Sequence, residues 1–233
     1  MILALETSSK VSSVAVATDN RLLAEITTES KLTHSKTLIP HIEKVLKLAN
    51  TEKRELTKIA VSIGPGSFTG LRIGLAAAKA MAYALSIPIY GAPTLQTLAY
   101  HFPAPNLRIT AAMDAQKNMV YRESYEFIGG DLKIIDKLEV LSIDAVKEEM
   151  LNYDNNIMLV GEKAEKIFEG LNKENIQLAP FYARMPRAAL VARYAALKQE
   201  PDNLMNLEPL YVRRSEAEEL WEKRHGKDRQ ERA

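Results

Sequence analysis

The sequence predicts an α/β protein of two similar lobes, each with a mixed sheet flanked by helices. Three short apolar or alternating segments come first, joined by tight turns, which is typical of an antiparallel meander. Strands then alternate with helices, which indicates a sheet with helices on its faces. The same order of elements returns in the second half of the chain, so we expect a second lobe of the same kind.

The first half contains five predicted strands and two predicted helices. The strands are expected at residues 2–5, 14–17, 22–28, 58–63 and 87–90. Apolar residues between 38 and 49 recur at helical spacing and predict the first helix. We expect Thr33 or Ser35 to cap this helix, and Pro40 to kink it or to mark its true start. The apolar run 71–85 predicts the second helix, and Lys79 within it argues against a membrane span.

The second half repeats this order less clearly. Strands are expected at residues 107–113, 119–127, 132–140 and 157–160, and helices at 143–151 and 162–171. Another helix should follow Pro186, which suits a first helical turn. The Pro- and Ala-rich stretch 101–106 is the best boundary, so the prediction is one lobe at residues 1–103 and another at 104–214. Residues 215–233 form a charged tail with Leu220 and Trp221 as its large apolar residues.

Composition narrows the functional classes. The chain has 233 residues, of which 46% are hydrophobic, and this is enough for a substantial core. A net charge of +1 gives no general attraction to nucleic acid or to anionic membranes. The absence of cysteine excludes disulfides, thiolate metal sites and cysteine nucleophiles. No signal peptide or membrane-spanning segment is visible, so we expect a soluble cytoplasmic protein.

The most specific segment lies at residues 62–74. A strand ends in the turn Gly64-Pro65-Gly66, and a helix begins near Thr69. Ser67 or Thr69 can cap this helix, and free amides at its start could bind an anion. The spacing matches neither a Walker loop nor a dinucleotide fingerprint. On spacing alone, a strand-to-helix turn without a ligand is the favoured interpretation.

Small residues recur every four positions along the second predicted helix. Gly70, Gly74, Ala78 and Ala82 form this stripe. Small side chains allow a neighbouring element to approach closely. That neighbour is either the chain's own sheet or a partner helix, and the pattern leaves both open.

Residues 63–74 resemble the signature of the TsaB family, also described as glycoprotease-like proteins that lack peptidase activity. Further matches follow in the expected order and span most of the chain. They are Leu5-Glu6-Thr7-Ser8, His34-Ser35 with Leu38-Ile39-Pro40, Met113-Asp114-Ala115 with Val120-Tyr121, and Pro209-Leu210-Tyr211-Val212-Arg213.

The resemblance implies a fold and a function. The fold would be that of the actin, sugar kinase and Hsp70 (ASKHA) group, with two lobes of ribonuclease H type. The function would be that of a non-catalytic activating subunit for threonylcarbamoyl transfer to N6 of adenosine 37 in tRNAs reading ANN codons. Its partners would be TsaD and the ATPase TsaE, with a homodimer when alone and with tRNA met only through the complex. It implies no cofactor, although a nucleotide could bind at the TsaD interface.

The resemblance also implies two groups of site residues. The helices before and after the glycine turn would build the partner interface, with Leu38, Ile42, Val45, Gly70, Gly74, Ala77, Ala78, Met81 and Ala82. A relic of a phosphate site would comprise Glu6, Thr7, Ser8, Gly64, Gly66, Ser67 and Asp114. Glu6 departs from the family, which usually has Asp there. The favoured interpretation of Glu6 and Asp114 is that they are polar strand ends, with the phosphate relic as the alternative.

Catalysis by the chain alone is not favoured. No glycine occurs between Gly170 and Gly226, so the second lobe has no candidate for an adenosine-binding loop. The runner-up hypothesis is an ASKHA-type ATPase or carbamoyl-type transferase that uses Glu6, Asp114 and the turn from Gly64 to Gly70. A peptidase that uses Ser67 is less favoured, because no histidine lies near it in sequence to act as base.

Two further groups of residues are expected to have no functional role. His34 and His41 are seven positions apart and fall short of a metal-ligand set. The arginines of the second half are expected to be solvated surface residues rather than RNA contacts, because no RNA-binding motif accompanies them. They are Arg184, Arg187, Arg193, Arg213 and Arg214.

Overall fold

The first half of the chain forms a five-stranded mixed sheet. The structure is a computed structural model that describes residues 1–29 and 34–213. The strands are β1 (Ile2–Glu6), β2 (Val11–Ala17), β3 (Leu22–Glu29), β4 (Lys58–Gly64) and β5 (Ile89–Pro93), in the order β3-β2-β1-β4-β5. The first three pair antiparallel, as the meander prediction required, and β4 and β5 add in parallel.

Three helices lie in the first half of the chain. They are α1 (His34–Leu48), α2 (Phe68–Leu85) and the short α3 (Thr94–Ala99), which the sequence did not predict. Ser35 lies inside α1 and therefore does not cap it, and Pro40 lies well inside the helix and does not mark its start. Thr33, the other predicted cap, is outside the described residues.

The two faces of the first sheet are covered differently. Side chains alternate between the faces along each strand, so Leu3 and Leu5 of β1 face α1 and α2, whereas Ile2 and Ala4 face the other way. The smaller residues of that second face leave room for a helix to pack closely. The helix that fills this room comes from the end of the chain.

The second sheet repeats the first strand by strand. It contains β6 (Leu107–Asp114), β7 (Met119–Ile128), β8 (Asp131–Ser142), β9 (Asn156–Val160) and β10 (Ile176–Leu178), in the order β10-β9-β6-β7-β8. Strands β6, β7 and β8 pair antiparallel and β9 and β10 pair in parallel, as in the first sheet. The predicted class of two mixed sheets flanked by helices is confirmed, although β10 was not foreseen.

The remaining helices are α4 (Ile143–Leu151), α5 (Ala164–Phe168) and α6 (Ala188–Leu197). Helices α4 and α5 pack on one face of the second sheet, and α3 packs on the other. The structure ends α5 at Phe168, earlier than predicted, and Gly170 follows with a φ of +81°. In the described ranges, no helix is both long and apolar enough to cross a membrane.

Helix α6 packs on the first sheet, although the sequence assigned it to the second lobe. Val191 and Ala195 lie against Ile2 and Ala4 on the face left open by α1 and α2. The helix begins after Arg187, so Pro186 precedes it rather than occupying its first turn. The chain therefore returns to its first sheet after completing the second one. The predicted lobe boundary at residues 103–104 stays a prediction.

Residues 202–213, which we call the strap, continue along the edge of the first sheet. The backbone amide of Asp202 donates to Ile89 O at 2.9 Å, and the Asp202 carboxylate accepts from the Gly91 amide at 2.7 Å. The Lys79 ammonium of α2 donates to two strap carbonyls, at 3.0 and 3.1 Å. This contact gives the charged end of Lys79 hydrogen-bond partners within the chain. The predicted tail, 215–233, is outside the described residues.

Candidate functional site

The strand ends of both sheets meet at one cleft of about 700 Å³. It lies where β1 and β6 end, beside the glycine turn, the first turn of α2 and the end of the strap. Its lining includes Ser8, Ser9, Lys10, His34, Gly66, Ser67, Phe68, Thr69, Leu71, Arg72, Asp114, Ala115, Gln116, Tyr121, Glu162, Leu210, Tyr211 and Arg213. The cleft is therefore the place where both halves of the chain can contact one ligand.

The glycines of residues 62–74 allow α2 to pack directly on the chain that follows β1. A Cβ atom on Gly66 would lie less than 3.0 Å from the Ser8 carbonyl, and one on Gly70 would be equally close to the Thr7 carbonyl. The Ser67 amide donates to Ser8 O at 2.6 Å, and the Thr7 hydroxyl donates to Gly70 O at 2.8 Å. The most specific pattern in the sequence thus has a structural explanation in close backbone packing.

Ser67 caps α2. Its Oγ accepts from the Gly70 amide at 3.2 Å, as one of the two predicted alternatives required. Thr69 lies inside the helix and is exposed, so the other alternative is wrong. The first turn of α2 contains no acidic residue, so no carboxylate there balances the positive end of the helix dipole.

Glu6 lies behind the cleft rather than in it. The residue is fully buried, and its Oε1 accepts from the Ser8 amide at 2.5 Å, while Oε2 has no hydrogen-bond partner within the described residues. Burial raises the pKa of Glu6, and hydrogen bonds from Ser8 and Ser62 lower it again in part. Its carboxyl group is therefore not presented to a phosphate or to a metal in the cleft.

Four of the seven residues predicted for the phosphate relic line the cleft, namely Ser8, Gly66, Ser67 and Asp114, whereas Glu6, Thr7 and Gly64 do not.

Both carboxylate oxygens of Asp114 have partners within the chain. Oδ1 accepts from the Gln116 amide at 2.9 Å, and Oδ2 lies 3.2 Å from the Lys163 ammonium. Its role resembles that of a polar strand end, one of the two readings that the sequence left open.

A second carboxylate, Glu162, lines the wall beside Asp114. Burial raises the pKa of Glu162 and the charge of Asp114 raises it further, while Lys163 and Lys10 act in the opposite sense. Sequence reasoning did not single out Glu162. No cluster of three or more acidic or histidine side chains occurs among the described residues that could hold a metal ion.

Residues at the cleft mouth were also missed. The Arg72 guanidinium lies 3.9 Å from the centroid of the Phe68 ring, and its Nε donates to the Tyr211 hydroxyl at 2.9 Å. Arg213 donates from Nη1 to the Ala115 carbonyl of the second lobe at 2.8 Å. Arg213 was expected to be a solvated surface residue, but it joins the strap to the second lobe. The family match at residues 209–213 was the sequence signal for this region.

The predicted partner interface requires a correction. Leu38, Ile42, Val45, Gly70, Gly74, Ala78 and Ala82 are buried inside the chain, and only Ala77 and Met81 are partly exposed. The small-residue stripe faces the chain's own sheet and the Thr7 side chain, one of the two neighbours that the pattern allowed.

The outward side of α2 is a different set of residues. We call Ala76, Ala80, Tyr83 and Ala84 the outer stripe; all four are exposed, and Tyr83 is 75% exposed. Exposed Ile39 and Leu48 lie on α1. A surface with small residues around one large aromatic ring is suited to close helix packing.

The two histidines that the sequence singled out lie in different environments. His34 Nε2 lies 2.9 Å from Ser9 O at the cleft wall. Burial and the charge of Lys44 lower the pKa of His41.

The arginines expected to be solvated do not all behave alike. Arg184 and Arg187 pair with Glu165 and Glu25, whereas Arg193 is exposed as expected. Arg214 is outside the described residues.

Two mixed sheets of matching strand order, facing a common cleft, define a protein of the actin and sugar kinase (ASKHA) class. Among solved structures, the chain is similar to YeaZ from Pseudomonas aeruginosa, with a TM-score of 0.75 and 25% identity over 91% of this chain and 99% of that chain. EutJ from Carboxydothermus hydrogenoformans, with a TM-score of 0.53 and 12% identity over 82% of this chain and 89% of that chain, shares the fold alone.

Sequence relatives narrow the class to one family. Residues 21–221 match the family model "TsaD: tRNA N6-adenosine threonylcarbamoyltransferase". The tRNA threonylcarbamoyladenosine biosynthesis protein TsaB of Bacillus subtilis is 29% identical over 94% of this chain and 97% of its own length. TsaB of Buchnera aphidicola subsp. Schizaphis graminum is 32% identical over 72% of this chain and 80% of its own length. TsaB of Escherichia coli is 28% identical over 97% of this chain and 99% of its own length. The chain belongs to the TsaB family.

Proposed function

We propose that the chain takes part in forming threonylcarbamoyladenosine in tRNA as a non-catalytic activating subunit. Its catalytic partner is TsaD, TsaE completes the machinery, and tRNA is contacted through the complex in the cytoplasm. The support is that relatives named for this biosynthesis match the chain over nearly its whole length.

The burial of Glu6 carries the non-catalytic part of the proposal. An ATPase of this fold needs acidic groups in the cleft to hold a metal–phosphate group. Glu6 is fully buried behind the cleft, and Asp114 is held by Lys163 and by the Gln116 amide. The glycines of residues 66–74 are used in packing α2 on the strand end. These groups therefore support folding rather than chemistry.

The outer stripe of α2 is the proposed partner surface. Ala76, Ala80 and Ala84 leave room for another helix to approach, and the exposed Tyr83 ring supplies apolar area for burial. TsaD occupies this surface in the complex, and a second copy of the chain occupies it in the homodimer. Binding at this surface stabilises the active conformation of TsaD. The chain thus contributes coupling free energy to the reaction rather than chemical groups. The chain holds no cofactor of its own, and any nucleotide lies at the TsaD interface.

The test is the threonylcarbamoyladenosine content of bulk tRNA, measured by nucleoside mass spectrometry after depletion of this protein. Complementation uses wild type, Ala80→Arg and the matched control Ala145→Arg, an exposed alanine on α4. Wild type and the control should restore the nucleoside, whereas Ala80→Arg should not. Full restoration by Ala80→Arg would contradict the proposed surface, and an unchanged level after depletion would contradict the pathway.

A purified-protein assay separates this proposal from catalysis by the chain itself. We expect no ATP hydrolysis above background by the chain alone. Hydrolysis that is lost in Asp114→Ala would instead support an ATPase or a carbamoyl-type transferase. Cleavage of an unfolded protein substrate that is lost in Ser67→Ala would support a peptidase.

A further inference from the structure

Strand β8 (Asp131–Ser142) forms a free edge of the second sheet. It is the last strand in the order β10-β9-β6-β7-β8, and within the described residues only β7 pairs with it. None of its 12 residues is buried, and Ile134 and Ile135 are 55% and 38% exposed. An edge strand of this length, with exposed apolar side chains, can pair with a strand of another molecule.

Two bulges in β8 lie on either side of Asp136. Between Glu139 and Asp136, β8 contains one residue more than the facing segment of β7, and the same holds between Asp136 and Ile134. Bulges usually turn an edge strand away from further pairing. Because these two flank one residue, a two-fold axis through Asp136 places bulge beside bulge, and two copies of β8 bend together.

The charges of β8 are complementary about the same axis. In an antiparallel pair centred on Asp136, Lys133 of each copy lies opposite Glu139 of the other, which gives two pairs of opposite charge. Both side chains reach solvent, since that of Lys133 is 54% exposed and that of Glu139 is 58% exposed. A pair centred on Ile135 would instead place Lys133 opposite Lys137, so the charges favour one register over its neighbour.

The apolar residues of β8 match in the same register. Leu132 lies opposite Val140, and Ile134 lies opposite Leu138. Leu132, Leu138 and Val140 pack against the core that α3 covers. Ile134 lies on the same face, because it pairs with Tyr125 of that core. The pairing therefore continues this apolar face from one copy into the other and covers Ile134.

Asp136 itself meets its own copy at the axis. Its carboxylate forms ion pairs with Arg108 and Arg122 of its own chain, whose side chains are 7% and 5% exposed. Two buried cations therefore balance each Asp136 before the copies meet, so the like charges at the axis are compensated within each chain.

We propose that two copies of the chain associate through β8, paired antiparallel over residues 132–140 with Asp136 at the two-fold axis. Their second sheets then form one continuous sheet. The outer stripe of α2 belongs to the first lobe and stays free, so this dimer is compatible with a partner bound at α2. The inference does not rest on the proposed function.

Sedimentation equilibrium of the full chain tests the charges. The parent protein is Ala80→Arg, in which the outer stripe should form no homodimer, at concentrations up to about 1 mM, because pairs that bury little area are weak. The parent should show a reversible monomer–dimer equilibrium. Lys133→Glu and Glu139→Lys, each added to the parent, should weaken association at least about tenfold, since two attractive pairs become repulsive. An equimolar mixture of these two variants should regain the parent's affinity, because both pairs across the interface are again of opposite charge.

Two controls separate association from folding. Glu174→Lys, at an exposed residue next to β10 on the other edge of the sheet, should associate as the parent does. Glu139 also pairs with Arg122, so the melting temperature of each variant is measured beside its association. Recovery in the mixture requires that both variants are folded.

The chain contains no cysteine, so disulfide cross-linking can test the register. Ile134→Cys combined with Leu138→Cys places two thiols opposite each other across the interface, within the distance that a disulfide requires. This double variant should form covalent dimers on mild oxidation. Ile134→Cys alone should not, because residue 134 faces residue 138 of the copy. A monomeric parent, a mixture that stays monomeric, or equal cross-linking of the single variant would overturn the proposal.

Discussion

The Thr7 hydroxyl oxygen occupies the space in which a Cβ atom on Gly74 would stand, at a separation below 3.0 Å. Thr7 also donates from this hydroxyl to Gly70 O, so the strand end and the helix are fixed by one side chain. The distance from Gly70 to Gly74 is about one helical turn, which places both glycines against the same residue. The family signature is therefore a packing motif at this position.

Gly74→Ala should lower the free energy of unfolding by about 1–3 kcal/mol, because the added methyl group overpacks against Thr7. Thr7→Ala should cost about 1 kcal/mol for the lost hydrogen bond. The double variant should be less destabilised than the sum of the two, since removal of the Thr7 hydroxyl leaves space for the methyl group. Denaturant unfolding of all four proteins measures this coupling. Strict additivity would mean that the close contact does not exist.

Ala78→Arg and Ala80→Arg should differ sharply although they lie two positions apart. Ala78 is fully buried against the first sheet, so an arginine there should destabilise the fold by at least about 3 kcal/mol. Ala80 is exposed, and its variant should stay within about 0.5 kcal/mol of wild type. Thermal unfolding followed by circular dichroism separates them. Similar melting temperatures for the two variants would contradict the assigned faces of α2.

Glu6→Gln should become relatively more stable as pH rises. Burial raises the pKa of Glu6 above its ordinary value of 4.5, so the folded state binds more protons than the unfolded state above that pH. The wild-type protein therefore loses stability as pH increases from 4.5 toward the raised pKa, and Glu6→Gln does not carry this loss. We would measure the free energy of unfolding of both proteins between about pH 5 and 8, where a carboxyl group with a raised pKa loses its proton. The stability of Glu6→Gln relative to wild type should increase across this range. A difference independent of pH would count against the raised pKa.

Lys79→Met should loosen the strap without unfolding the sheets. The substitution removes two hydrogen bonds from a charged donor to Met205 O and Leu207 O, each contributing about 1.5–3 kcal/mol. Hydrogen exchange at residues 203–210 should become faster, while exchange in β1 and β6 stays unchanged. Lys44→Met, on the exposed side of α1, is the matched control. Equal exchange of the strap in both variants would show that Lys79 does not hold it.

Regular elements were predictable because their side chains follow a period. Most strands of both sheets and the bounds of α4 were predicted from apolar alternation or helical spacing. Helix α3 has six residues and β10 has three, too few for a period to be recognised. The four-residue stripe of α2 identified one face correctly, but small residues permit any close neighbour. Spacing therefore could not decide between the chain's own sheet and a partner.

The cleft was harder to predict because it is assembled from distant segments. Arg72 and Tyr211 form one hydrogen bond across 139 positions, and no spacing rule connects them. Glu6 and Asp114 occupy similar ends of similar strands, yet one is buried and the other faces the cleft. Burial at a strand end depends on what packs above it, here α2 and its glycine turn. That dependence is a tertiary property, which a local pattern does not contain.

The position of α6 has a consequence for synthesis of the chain. One face of the first sheet, formed by Ile2, Ala4, Ala15 and Ala60, is covered by Val191 and Ala195 of α6. This face therefore stays uncovered until α6 has left the ribosome. The lobe that is made first is therefore finished last, and its apolar face stays open while the second sheet is translated. Chains that fold domain by domain from the amino terminus avoid such an interval. We therefore expect chains truncated before residue 188 to leave this apolar face exposed, and to aggregate rather than to form a working half.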